Sequence, residues 1–132
     1  MGDPAGVGPE IILKALGGGR LRRICSPVVV GDRNVLGFIA KKLRLKPLDD
    51  AEIKGVSSID VKKLRPGRPT MESSRAMISY IDEAVRMARD AEAAAMVTGP
   101  ISKEAARLAG FRFPGHTEFI AHLTGTKDFR MM

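Results

Sequence analysis

The chain has 132 residues, 44% hydrophobic and 28% charged, enough for one domain with a buried core and too well balanced for a disordered segment. Aromatic residues make up 5% with no Trp, so the core must be built from Ala, Val, Ile, Leu and the seven Met. The single Cys25 excludes an internal disulfide framework, and no apolar run is long enough to span a bilayer as a helix, which together predict a cytoplasmic protein. The formal charge of +7 admits affinity for nucleic acid or phosphorylated metabolites. Its basic residues, however, lie in short dispersed groups (Arg20, Arg22, Arg23; Lys41, Lys42, Arg44, Lys46) with no stacking aromatics between them, which disfavours nucleic acid.

Along the chain, Pro9 and Glu10 suit a first helical turn, and Ile11, Ile12, Leu13, Ala15 and Leu16 supply an apolar face that Gly17-Gly18-Gly19 ends. Val28-Val29-Val30 is a β-branched run closed by Gly31-Asp32, and it predicts a short buried strand. Asn34 is placed to cap a second helix with Val35, Leu36, Ile39, Ala40 and Leu43 at helical spacing. Between 44 and 69 the pattern is weak. Ile53, Val56, Ile59 and Val61 suggest one or two edge strands, and Pro66-Gly67-Arg68-Pro69 a turn. Thr70 or Ser73 opens a long helix burying Met77, Ile78, Ile81, Ala84, Val85 and Ala88. Ala93 to Val97 is expected to be a buried strand arriving at Thr98-Gly99-Pro100. Ser102 then caps a short helix from Lys103 to Ala109, with Gly110 in the left-handed position. Thr117 or His116 caps a last helix that Gly125 ends.

Helices alternating with short apolar strands predict an α/β fold with a largely parallel or mixed sheet, whose ligands sit outside the carboxyl ends of the strands. Three polar loops would meet there: Gly2 to Gly8, Thr98 to Lys103, and Gly115 to Glu118. The first has Gly-x-Gly at positions 6 and 8 but Ile at 11, so it completes neither a dinucleotide fingerprint nor a P-loop. Asp3 could orient a ligand or simply be solvated. Lys103 could neutralise a phosphate or carboxylate, though a helix-starting surface Lys is the commoner case. His116 could donate to an anion or exchange a proton near neutral pH, against the alternative of an ordinary helix-start residue. His122 is structural or solvated, two His six residues apart do not make a metal site, and Cys25 is expected to be a small buried apolar residue.

Three motifs in this order, Gly2-Asp3-Pro4-Ala5-Gly6-Val7-Gly8-Pro9-Glu10, then Val97-Thr98-Gly99-Pro100-Ile101-Ser102-Lys103, then Phe113-Pro114-Gly115-His116-Thr117-Glu118-Phe119, resemble the 4-hydroxythreonine-4-phosphate dehydrogenase family of pyridoxal phosphate biosynthesis. The same motifs occur in relatives acting on threonate or erythronate 4-phosphate and in some aromatic dihydrodiol dehydrogenases. The resemblance implies a homodimer of two-domain subunits, similar in fold to isocitrate and isopropylmalate dehydrogenases. It implies NAD-dependent oxidation of a secondary alcohol on a phosphorylated hydroxy-amino acid, followed by decarboxylation. The family's substrate-binding His-Thr pair falls on His116 and Thr117, with Asp3 and Lys103 as pocket-lining candidates. Its divalent metal (Zn, Mg or Co) is held by three His that all follow Met132, so no metal ligand is assigned in this chain, and its catalytic and NAD-binding residues are not assigned either.

The chain begins inside a glycine-rich loop, where an α/β unit ordinarily supplies a strand first, and Phe129 to Met132 look like the start of another buried strand. Residues 1–132 are therefore expected to be an incomplete α/β domain from the N-terminal part of a larger dehydrogenase, inactive alone. The alternatives are a threonate or erythronate 4-phosphate paralogue, or a non-enzymatic module that binds anions or nucleic acid.

Overall fold

A computed structural model describes residues 1–129. The first helix, α1 (Gly8–Gly17), starts where Pro9 presets φ and Glu10 meets the positive end of the helix dipole. Leu13 and Leu16 are buried, while Ile11 lies on the solvent side, which also carries the Glu10–Lys14 pair at 2.6 Å. The strand β1 (Val29–Gly31) lies one residue later than the valine run suggests, and Val28 stays exposed.

The helix α2 (Arg33–Leu43) follows at once. Its cap is Asp32, whose Oδ1 accepts from the N–H groups of Asn34 and Val35. Asn34 is thus two residues too late to be the cap and sits inside the first turn. The chain then returns as β2 (Ile53–Gly55), parallel to β1 with Val29 opposite Ile53 and Gly31 opposite Gly55. A parallel pair needs a long crossover, and α2 is that crossover. Of the other apolar residues in the weakly patterned region, Ile59 is buried without joining a strand.

The longest helix, α3 (Met71–Arg89), opens on a reciprocal cap between Thr70 and Ser73. Two apolar stripes run along it. Ala76, Tyr80 and Met87 face the main core over β1, α1 and α2, whereas Met77, Ile81 and Val85 face the other way. The second stripe seats α4 (Lys103–Leu108) through Ala105 and Ala106, and α5 (His116–Thr124) through Phe119. As expected from the sequence, Ser102 caps α4, accepting from the Ala105 N–H at 3.2 Å, and Gly110 and Gly125 adopt φ of +76° and +68°. The described residues thus form an α/β fold with a small parallel sheet packed against helices.

Besides the Asn34 cap, Ala88, expected on the buried side of α3, is exposed, and three further expectations fail. Residues 93–97 form no strand among the described residues, and Val97 is 95% exposed. No described segment pairs with that backbone, and an unpaired apolar run gains nothing from an extended ladder. Cys25 is exposed rather than buried, its thiol directed to the Leu21 carbonyl at 3.4 Å, because the short helical turn Leu21–Arg23 carries no buried residue. The cap of α5 is Gly115, with neither the His116 nor the Thr117 side chain bonded back to the helix start. Of the strand anticipated from Phe129 onward, Arg130 to Met132 lie outside the described residues.

Candidate functional site

The glycine-rich first loop is wedged between β1 and the segment after Thr98. At its start, the Met1 amino group donates to the Val30 carbonyl at 2.7 Å. Two residues on, the Asp3 N–H donates to the Pro100 carbonyl at 3.1 Å. The loop closes on itself through Gly6 N–H to Asp3 carbonyl at 3.0 Å, and is held from outside by Gly67 N–H to Ala5 carbonyl at 2.7 Å.

Glycine is required where these backbones touch. A β-carbon on Gly99 would stand 2.7 Å from the Met1 carbonyl oxygen, and one on Gly2 would stand 2.5 Å from the Pro100 carbonyl oxygen. Gly2 also has φ of +76°, which side chains disfavour.

His116 brings in the third loop. It is the first residue of α5 and is partly buried, with its imidazole against the backbone of Gly99 and close enough to the amino terminus to feel its charge. Burial lowers the His116 pKa from its ordinary value, partly offset by the Gly99 backbone, which favours the charged form. At neutral pH the ring is therefore mostly uncharged, with one nitrogen donating and the other accepting. Thr117 follows, partly buried in the first turn of α5. No side chain caps that turn, so its leading N–H groups remain available to an anion. The Glu118 carboxylate folds back to within 3.5 Å of where a Gly115 β-carbon would stand, in the region the helix dipole makes favourable for negative charge.

Asp3 is 4% exposed. Its Oδ1 accepts from the Ala5 N–H at 2.8 Å, yet desolvation outweighs that bond and raises its pKa. The site thus contains a buried carboxyl and an imidazole, both disposed by burial toward their neutral forms. Each can exchange hydrogen bonds with a neighbouring polar group at little desolvation cost. Lys103 is placed apart, exposed at the first position of α4, lining a cavity that neither Asp3 nor His116 lines.

A fourth group escaped sequence reasoning. The fully buried Asp32 uses Oδ2 to accept from the Ser57 hydroxyl at 2.6 Å and the Ile59 N–H at 2.7 Å. Ser57 in turn meets the Tyr80 hydroxyl at 2.6 Å, and burial raises the Tyr80 pKa above that of an ordinary phenol. This network ties the carboxyl ends of β1 and β2 to α3 and fixes the platform on which Met1 to Asp3 rest. Its only signal in the sequence was an acidic residue at a strand end, and its partners lie 25 or more residues away for both Oδ2 donors.

Among the described residues no three His, Cys, Asp or Glu side chains gather closely enough to hold a metal ion. The described residues therefore do not by themselves fit the divalent metal implied by the resemblance.

Similar folds belong to dehydrogenases. The crystal structure of 4-hydroxythreonine-4-phosphate dehydrogenase from Klebsiella pneumoniae superposes with a TM-score of 0.81 at 35% identity, over 97% of this chain and 44% of that one. A 4-hydroxythreonine-4-phosphate dehydrogenase from Desulfosudis oleivorans is 42% identical over all of this chain and 43% of its own length. A protein of Oceanobacillus iheyensis, provisionally named D-threonate 4-phosphate dehydrogenase, is 36% identical over all of this chain and 44% of its own. Residues 23–132 match the family described as pyridoxal phosphate biosynthetic protein PdxA, and the chain belongs to that family. It spans less than half the length of the curated relatives it matches.

Proposed function

We propose that this chain supplies part of the substrate site of a 4-hydroxythreonine-4-phosphate dehydrogenase, with His116 and Thr117 holding the phosphorylated substrate. The observation that carries this reading is the meeting of three loops, through Met1, Gly99 and His116, beside the uncapped start of α5. An incoming phosphate would accept from the leading N–H groups of α5 and from His116, whose proton affinity would rise on contact with the dianion. Thr117 would add a hydroxyl donor. Asp3 would orient a ligand group or a neighbouring side chain from behind, in a role secondary to His116.

In the whole protein the reaction is oxidation of a secondary alcohol. NAD, when bound, would supply the hydride acceptor for that oxidation, and the β-keto acid formed would lose carbon dioxide. This chain's residues bind and orient the substrate, and the groups that take up the hydride and proton are not assigned within it. The relatives' dehydrogenase names support a nicotinamide cofactor. The divalent metal, the homodimer, the two-domain isocitrate dehydrogenase-like subunit and the cytoplasmic location rest on the resemblance alone.

The second reading, oxidation of D-threonate 4-phosphate, is supported by the Oceanobacillus relative. The test is steady-state kinetics of the full-length protein with 4-phosphooxy-L-threonine and with D-threonate 4-phosphate, each with NAD. A higher kcat/KM for the first supports the proposal, and the reverse supports the second reading. His116→Ala should raise KM or lower kcat for the preferred substrate. Unchanged kinetics in that variant would remove His116 from the substrate site.

A further inference from the structure

A cavity of about 400 Å³ opens between α4 and the segment Phe111–Pro114, on a face that His116 and Thr117 do not line. Its charged lining residues are Lys103, Arg107 and Arg112, all cations. Lys103 and Arg107 are four residues apart and so project from one face of α4. Gly110, at φ of +76°, then reverses the chain and carries Arg112 round to the same opening. None of the three makes an ion pair among the described residues, in contrast with Arg22, Arg33 and Arg86, which all do. The apolar wall includes Phe111 and Phe113. Their rings lie 5.5 Å apart and brace against Phe119 at 4.9 and 5.1 Å, so both are held in place while remaining partly exposed.

We infer that this cavity binds an organic monophosphate carrying a flat aromatic ring. Three uncompensated cations around one opening repel one another, and a dianion relieves that repulsion. Arg107 and Arg112 can each present two parallel N–H donors to phosphate oxygens, and Lys103 adds a mobile point charge. An anion alone would leave the two phenyl rings wet, whereas a ring attached to it would cover them in an offset or edge-on stack. The volume falls within the range of small-molecule sites. The inference does not depend on the proposed dehydrogenase activity, because no residue of the cavity is one of the two assigned to the substrate.

The test is isothermal titration calorimetry of the full-length protein with phenyl phosphate, inorganic phosphate and phenol as probes. Phenyl phosphate should bind about ten-fold tighter than either fragment of it, and the double substitution R107A/R112A should weaken that binding by about ten-fold or more. Both arginines are exposed, so an unchanged Tm is expected to accompany the loss. The part of this binding that R107A/R112A removes should persist in His116→Ala. The inference is overturned if inorganic phosphate binds as tightly as phenyl phosphate, if R107A/R112A binds like the wild type, or if His116→Ala alone abolishes binding. It is equally overturned if the wild type shows no heat of binding with phenyl phosphate.

Discussion

The Asp3 N–H donates to the Pro100 carbonyl at 3.1 Å, joining a loop at the start of the chain to one near its other end. The two glycines beside that bond, Gly2 and Gly99, leave no room for a β-carbon. The bond therefore depends on residue size as well as on hydrogen-bonding capacity, and the same Gly99 backbone meets the His116 imidazole.

Replacing Gly99 by Ala should cost about 1–3 kcal/mol of stability, as small-to-large changes in packed sites do. The new methyl would meet the Met1 carbonyl, a backbone atom that cannot rotate away. Gly37 is the matched control: it lies inside α2 with nothing near its β-position, so Gly37→Ala should stabilise by about 0.5–1 kcal/mol. Urea unfolding of the two variants decides the matter. Equal midpoints would show that the contact between the loops is loose.

Asp32 should be among the least replaceable residues. Its two oxygens accept from Asn34, Val35, Ser57 and Ile59, and it is fully buried. Asp32→Ala removes a helix cap, worth about 0.5–2 kcal/mol, and strands a buried backbone donor at Ile59, worth about 1–3 kcal/mol. The combined loss should be about 3 kcal/mol. Asp32→Asn should fall between wild type and Ala, because an amide keeps one acceptor but turns the other toward existing donors. Chemical denaturation that ranks Asn with or below Ala would overturn this account.

The helices were the legible part of this molecule. Thr70 before an apolar stripe, Ser102 before Lys103 and Gly125 after Thr124 are local signals, and each marks a boundary in the structure. The His116 loop was also visible, because a Pro-Gly turn, an imidazole and a helix start are adjacent in sequence. What the sequence hid depends on distant partners. A strand over 93–97 needs neighbours that no periodicity can supply, and Asp32 looks like any acidic residue until Ser57 and Tyr80 are brought to it. The gathering of Lys103, Arg107 and Arg112 needed both the helical spacing and the reversal at Gly110.

Thr70→Ala should cost about 1 kcal/mol, the usual loss for a helix N-cap. The Thr70 hydroxyl accepts from the Ser73 N–H at 3.2 Å, and Ser73 returns the contact by accepting from the Thr70 N–H at 2.9 Å. Because α3 seats both the main core and the α4–α5 side, the loss should appear in a single unfolding transition followed by both circular dichroism and tyrosine fluorescence. Two separated transitions would show that α3 does not couple the two sides.

Asp3 and His116 should give pH signatures of opposite sign. Burial raises the Asp3 pKa, so folding favours its protonated form. Its contribution is fully present below about pH 4, the unfolded value, and is lost as pH rises through the folded one. Asp3→Asn keeps an acceptor for the Ala5 N–H without the buried charge, so it should raise Tm at pH 7 and leave it unchanged near pH 3. Burial lowers the His116 pKa, so folding favours its neutral form. That contribution is present above about pH 6.5 and is lost as pH falls through the folded value. His116→Gln should therefore narrow the stability difference between pH 7 and pH 5 relative to wild type. Thermal melts of wild type and the two variants across pH 3 to 8 would separate the effects. A wild type whose Tm exceeds that of Asp3→Asn at pH 7 would mean that the ionised carboxylate has a partner strong enough to outweigh its desolvation.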